Sequence, residues 1–272
     1  ICWGTYEVAA GARTERENMN DLFTNKSKEE IAIERIKTFC PPEGYYVAFS
    51  GGKDSCVILD LVKRAGVKFD AHYNFTTVDP PELVKFIRTF PEVSIDRPAK
   101  SMFQLIAEKG IFPSRVIRFC CSELKERGGA NRFVVVGIRW AESYGRSKRK
   151  MVEACFTDSR KYYIRPIIDW SDEDVWNYIK SHKLPYCSLY DEGHKRIGCV
   201  MCPMAGTAQM LRDEARWPKI AKAYKNAAIK AVETRKKKGL SCKDDFSTGE
   251  KLYYWWIHKP PKPDPDQTVM FE

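Results

Sequence analysis

Apolar and polar positions change period several times along the chain, and the changes mark out alternating strands and helices. Tyr45-Tyr46-Val47-Ala48-Phe49 is an unbroken apolar run, the pattern of a strand buried on both faces. A turn of small residues follows, and Cys56–Arg64 then reads as a helix. Lys68–Phe75 is predicted as a second strand, Pro81–Phe90 as a helix, and Val93–Asp96 as a short third strand. A helix runs from Ser101 to about Lys109, and Phe133–Ile138 is a fourth, deeply buried strand. Upstream, Ser27 and Glu30 form a capping box, and Ile33, Ile36 and Cys40 share a helical face until Pro41-Pro42 ends it. Downstream, Ser171 with Asp174 opens a helix carrying Val175, Trp176 and Ile179; Trp170 and Trp176 read as core. Pro218 opens another helix, with Ile220, Tyr224, Ala227 and Ala231 on one face, closing at Gly239.

Strands alternating with helices at this spacing predict an α/β fold: a parallel twisted sheet with helices on both faces, plus helical N- and C-terminal extensions. Residues 1–43 form an N-terminal lead-in and helix, its first 26 residues without a clear period. Residues 44–204 form the central domain that carries these alternating strands and helices. Residues 205–272 form a C-terminal helical extension, whose aromatic patch Tyr253–Ile257 packs back on the body before a loose Pro-rich stretch, Pro260–Asp266.

The 272-residue chain has no apolar run near the roughly 18–20 residues that cross a bilayer and no signal-peptide pattern, so a cytoplasmic protein without a membrane partner is expected. Its first residue is Ile1, so a native start before it is not excluded. Lys plus Arg number 46 against 36 Asp plus Glu, a formal charge of +10. The excess gathers at Arg146-Ser147-Lys148-Arg149-Lys150 and Arg235-Lys236-Lys237-Lys238. Such runs suit anionic nucleotides or a nucleic-acid backbone, and equally a solvated surface.

Between the first strand and its helix lies Ser50-Gly51-Gly52-Lys53-Asp54-Ser55. Glycines let the backbone approach an anion, the free N–H groups of the helix start point at it, and the dipole adds attraction. Lys53 contributes a full charge, and Asp54 suits a Mg2+ ion bound to a polyphosphate. The spacing is not that of a Walker A loop. Ser-Gly-Gly-Lys-Asp-Ser instead resembles the PP-loop of the adenine-nucleotide alpha-hydrolase superfamily, which implies a Rossmann-like fold and an adenine nucleotide (ATP, APS or PAPS) held by Ser50–Ser55. Gly137-Ile138-Arg139-Trp140-Ala141-Glu142-Ser143-Tyr144-Gly145-Arg146 is similar to an arginine segment of sulfonucleotide reductases and ATP sulfurylases, which implies that Arg139 and Arg146 grip a phosphate or sulfate. Ile164-Arg165-Pro166-Ile167-Ile168-Asp169-Trp170 resembles the same branch.

Ten cysteines in a chain without secretory features point to metal or redox use. Four form close pairs, Cys120-Cys121 and Cys199-Val200-Met201-Cys202. Adjacent cysteines fit one small zinc tetrahedron poorly, whereas a cube with four separate irons takes one thiolate at each corner, so a 4Fe–4S cluster is expected, with zinc or a reversible dithiol as alternatives. The paired spacing resembles the cluster signature of the APS-reducing branch of sulfonucleotide reductases; Lys125 matches the lysine after the cysteine pair, and Asp191–Cys199 the approach to the second. The C-terminal Glu-Cys-Gly-(Leu/Ile)-His segment of that branch, whose cysteine attacks the substrate sulfur, is missing. Cys242, between Ser241 and Lys243, is the C-terminal cysteine left for that role, against a plain surface cysteine.

Three functions are compatible with these residues. The leading expectation is ATP-dependent, pyrophosphate-releasing insertion of sulfur into a nucleic acid, with a cysteine-desulfurase-type sulfur donor. The alternative is an APS/PAPS reductase that makes sulfite with an atypical nucleophile and a thioredoxin-like electron donor. The third is a non-catalytic nucleotide and cluster sensor.

Overall fold

A computed structural model of the chain describes residues 25–156, 158, 160–242 and 246–258. Most of the lead-in, Lys243–Asp245 beside Cys242, and the Pro-rich stretch lie outside them. The described part builds a six-stranded sheet in the order β3-β2-β1-β4-β6-β5.

Helix α1 (Lys28–Thr38) starts at Ser27 with both bonds of the capping box and ends before Cys40, which lies past the last turn. Strand β1 (Tyr45–Ala48) runs into α2 (Lys53–Ala65), which begins three residues earlier than the apolar pattern suggested, because Lys53 and Asp54 already have helical geometry. Strand β2 (Phe69–Asn74), helix α3 (Pro81–Ile87), strand β3 (Val93–Asp96) and helix α4 (Met102–Lys109) follow. A short helix α5 (Phe119–Leu124) carries Cys120 and Cys121. Strand β4 (Phe133–Val135) is half the length expected, and a 3-10 turn (Trp140–Glu142) and the one-turn helix α6 (Tyr144–Ser147) come after it. Strands β5 (Val152–Ala154) and β6 (Tyr162–Ile164) form a hairpin, then helices α7 (Asp172–Ser181), α8 (Thr207–Arg216), α9 (Pro218–Lys237) and α10 (Gly249–Ile257) complete the chain.

Five strands are parallel, and β5 pairs antiparallel with β6 at one edge. The sheet is therefore mixed at its margin, in a Rossmann-like arrangement flanked by helices. From β1 the chain moves outward through β2 to β3, then returns across β1 to β4. With right-handed crossovers, that reversal puts α2 and α4 on opposite faces and opens a crevice between the carboxyl ends of β1 and β4.

On one side α1, α2 and α7 pack together. Tyr45 and Val47 of β1 are fully buried, and the Tyr45 hydroxyl donates to the Ile36 carbonyl of α1 at 2.9 Å. Arg35 of α1 grips both oxygens of Asp169 at 2.8 and 2.9 Å, which ties the segment before α7 to the body. On the other side α4 packs on α9, and α9 on α10. Trp256 of α10 stacks on Phe112, with ring centroids 4.3 Å apart, and donates to the Pro113 carbonyl at 2.8 Å. Trp170 is buried and Trp176 half-buried, as core residues are.

Candidate active site at the switch point

The loop after β1 makes its turn at Gly51, whose φ of +71° lies in the left-handed region. A Cβ there would also meet Leu83 and Ile87 of α3 at 2.7 Å, so both the backbone and the space call for glycine. Two serines brace the turn. The Ser55 hydroxyl donates to the Gly52 carbonyl at 2.8 Å and accepts from the Ser50 N–H at 3.2 Å. The Gly52 N–H in turn reaches the Ser50 hydroxyl at 3.4 Å.

Lys53 opens α2 with its side chain only 6% exposed. Its ammonium lies 3.5 Å from Asp54 and 3.3 Å from Asp172 at the start of α7. The same two carboxylates hold Arg139, which enters from the end of β4 and is almost completely buried. Its Nε donates to Asp54 Oδ1 at 2.5 Å, one terminal nitrogen to Asp172 Oδ1 at 2.6 Å, and the other to the Trp170 carbonyl at 3.1 Å. Burial opposes the Arg139 charge, but Asp54 and Asp172 outweigh it and hold its pKa above the ordinary arginine value. Burial likewise works against the Asp172 carboxylate, and the Arg139 and Lys53 contacts overcome it, so its pKa is lowered. Both Asp54 oxygens are engaged by cations, Oδ1 by Arg139 and Oδ2 by Lys53 at 3.5 Å.

Arg146 does not join this pair directly. It forms an ion pair with Glu142, whose other oxygen accepts from the Arg139 N–H at 2.9 Å, so the two arginines are linked through one carboxylate. Beyond them, Lys148 sits 4.2 Å from the ring centre of Tyr144, which is well exposed.

The sequence reading missed two residues that close the site. Asp172 was hidden in the acidic first turn of a helix, where it reads as an ordinary dipole partner. Tyr190, in a 3-10 turn (Ser188–Tyr190), accepts from the Lys53 N–H at 2.9 Å. A lone tyrosine 137 positions from the loop carries no local signal of this contact.

The four paired cysteines come into one neighbourhood below the crevice. Cys120 is buried on α5, and its hydrogen bond to Cys121 splits the pair: Cys120 is raised, while Cys121 is lowered first by that bond and then by Arg118. The Arg118 guanidinium lies 3.3 Å from the Cys121 sulfur. Cys199 meets the Thr76 hydroxyl at 3.4 Å, and burial raises its pKa against the pull of Lys125. Closeness to Cys199 in turn raises the Lys125 pKa against burial, and the Lys125 side chain bonds that sulfur. The Cys199–Cys202 turn is pinned by the Val200 N–H on the Val78 carbonyl and the Met201 N–H on Asp213, both at 2.8 Å.

This arrangement corrects the expectation of a 4Fe–4S cluster. Among the described residues, no group of three or more His, Cys, Asp or Glu side chains is arranged to hold a metal ion. Cys120, Cys121, Cys199 and Cys202 are neighbours, with the Arg118 guanidinium against Cys121 and Lys125 against Cys199. The zinc alternative falls with the cluster. Lys125, matched to the lysine after the cysteine pair, lies against Cys199, and its carbonyl accepts from Asn74 at 3.2 Å. Cys242 lies past α9, its thiol 3.5 Å from the Leu240 carbonyl.

A glycine turn between a buried strand and a helix start, with a buried lysine and a buried arginine across a topological switch point, defines a PP-loop nucleotide fold. The family model for the phosphoadenosine phosphosulfate reductase domain matches residues 44–205, more than half of the chain, and the chain belongs to that family. It is 32% identical over 171 residues to an adenosine 5′-phosphosulfate reductase of Oceanobacillus iheyensis, covering 57% of this chain and 69% of that one. It is 31% identical over 202 residues to an uncharacterized protein of Methanocaldococcus jannaschii, covering 69% of this chain and 42% of the other. The chain spans between 37% and 60% of the length of three such curated relatives. Among solved structures, a phosphoadenylyl-sulfate reductase of Candida auris in phosphate complex matches with a TM-score of 0.49 at 21% identity, covering 64% of this chain and 88% of that one.

These likenesses also correct the leading functional expectation. The family model is that of the phosphoadenosine phosphosulfate reductase domain, and neither it nor the described residues support insertion of sulfur into a nucleic acid. Among the described residues, no helix is long and apolar enough to cross a membrane.

Proposed function

We propose that the protein is an enzyme that binds an adenine nucleotide bearing an anionic 5′ group and reduces adenosine 5′-phosphosulfate, or its 3′-phosphorylated form, to sulfite. The observation that carries this reading is the buried Lys53 at the N-terminus of α2, beside Arg139 at the end of β4. Family membership across the same stretch and the reductase among the relatives support the choice of substrate.

Ser50, Gly51, Gly52 and Ser55 shape the loop, and Lys53 supplies the charge that meets the phosphate or sulfate. Asp54 fixes the Arg139 fork and Arg139 holds the crevice wall, with Arg146 set behind it by Glu142. The chemistry requires a thiolate to attack the sulfur of the sulfate group. An S–S bond forms as the S–O bond to the nucleotide breaks, and the nucleotide leaves as its phosphate anion. A second thiol then attacks the cysteine sulfur and releases sulfite, leaving a disulfide; the two electrons come from the two thiols. A thioredoxin-like dithiol protein resets the pair. Cys121, whose pKa is lowered by its bond to Cys120 and by Arg118, and Cys242 are the two thiols to separate by replacement with Ser.

The test is sulfite release from either sulfonucleotide by the full chain, supplied with a thioredoxin-type dithiol, alongside nucleotide binding. Lys53→Ala removes a charge-assisted contact of about 1.5–3 kcal/mol, so affinity for the nucleotide is expected to fall roughly ten- to a hundredfold. Unchanged affinity in that variant would remove the loop as the site. Tight binding of the sulfonucleotide by wild-type protein that releases no sulfite would remove the reductase.

A further inference from the structure

Tyr190 is bound to the anion loop in an incomplete way. Its hydroxyl oxygen accepts from the Lys53 N–H at 2.9 Å, one of the amides that a helix start offers to an anion. The hydroxyl stands directly over the turn: a Cβ on Gly52 would lie 3.5 Å from it. The ring is fixed edge-on by Trp176, with centroids 5.2 Å apart at 88°, and lies 5.9 Å from the Lys53 ammonium. A phenol that accepts one hydrogen bond still has its own proton to give. Burial raises the Tyr190 pKa, so that proton stays on the oxygen across the physiological range. Among the described residues, no acceptor takes it.

We propose that Tyr190 is a ligand-binding residue of the loop, whose O–H donates to a phosphate or sulfate oxygen seated over Gly51–Lys53 while the Lys53 N–H and Trp176 hold the hydroxyl in position. The inference rests on the reading of Ser50–Ser55 as the anion site. It adds a donor from outside the loop and gives the crevice a way to distinguish nucleotides by their 5′ group. The opposite arrangement, in which the hydroxyl merely plugs the loop and an incoming anion must evict it, predicts an effect of opposite sign.

The experiment compares wild type, Tyr190→Phe and Lys53→Ala by titration calorimetry with inorganic pyrophosphate and with adenosine, using the full chain, with thermal unfolding as a check on folding. Tyr190→Phe is expected to weaken pyrophosphate binding at least tenfold while leaving adenosine affinity unchanged and the protein folded, with the unfolding midpoint lowered only by the loss of the Lys53 N–H bond. Equal or tighter pyrophosphate binding by Tyr190→Phe overturns the proposal and leaves the loop assignment standing. Pyrophosphate binding indifferent to Lys53→Ala, or absent in wild type, overturns the loop assignment and the proposal together. If Tyr190→Phe does not fold, Tyr190→His keeps a ring with an N–H donor and is expected to show a smaller loss for pyrophosphate alone.

Discussion

Replacing Arg139 with Leu tests how the crevice is held together. The guanidinium is 1% exposed and makes three bonds, to Asp54, Asp172 and the Trp170 carbonyl. The two acids are not equal partners. The Asp172 side chain is 67% exposed, so its share is that of a surface pair, about 0–1 kcal/mol. Asp54 is 19% exposed, and without Arg139 it keeps only Lys53, at 3.5 Å, as a charged partner. Breaking a buried pair from one side costs about 3–5 kcal/mol, and the lysine that remains argues for the lower end, about 3 kcal/mol. For a chain of this size the unfolding midpoint should drop by roughly 6–12 °C. Asp172→Asn should cost less than about 1 kcal/mol. The double variant Arg139→Leu with Asp54→Leu should recover part of the loss, because the uncompensated carboxylate has gone too. Urea and thermal unfolding at neutral pH give all three values. A loss below about 1 kcal/mol in Arg139→Leu, or equal losses in Arg139→Leu and Asp172→Asn, would refute the reasoning.

Two other perturbations follow from single close contacts. A Cβ on Gly137, just after β4, would sit 2.9 Å from the backbone carbon and oxygen of Asp54, atoms that cannot swing aside. Gly137→Ala should therefore cost about 1–3 kcal/mol and weaken pyrophosphate binding by shifting the first turn of α2, whereas Gly145→Ala, with nothing within 4 Å, should change neither. Calorimetry and urea unfolding on the two variants check this. Glu29 pairs with Arg64 and with His182, the latter at 2.8 Å. Burial pushes its carboxyl up, but the Arg64 and His182 bonds outweigh it and lower its pKa from 4.5. Its stabilisation is thus present above that value and lost as pH falls through the lower, folded one. Wild type should lose its stability advantage over Glu29→Gln as the pH drops below 4.5, and a gap that is constant with pH would count against the pairing.

What the sequence made legible was local. The Ser50–Ser55 turn was readable because its chemistry lies in six consecutive residues, and the Ser27 and Ser171 caps because each needs only a partner three positions on. The hairpin of β5 and β6 was not readable. Its strands are three residues each, too short to show alternation, and hydrogen bonding across the edge defines them more than apolar content does. Helix α5 escaped for a similar reason, with six residues giving less than two full turns of periodicity. Strand β4 is shorter than its apolar run, and just beyond it Gly137 passes close to Asp54. The largest error concerned the cysteines. Spacing brought Cys120, Cys121, Cys199 and Cys202 together, but could not reveal that Lys125 and Arg118 occupy the space around the sulfurs. Asp172 and Tyr190 show the same limit, since each meets Lys53 only through tertiary contact.

The packing of α9 and α10 has a consequence for how this fold can be shared among proteins. The family match stops at residue 205, yet Tyr224, Tyr253 and Trp256 from beyond it complete an aromatic stack around Phe112. A protein cut at that boundary would display a greasy surface along α4 and should self-associate. Any relative that keeps this α4 face but ends differently must supply another cover for it, so the sequence after residue 205 is free to change its letters more readily than its job.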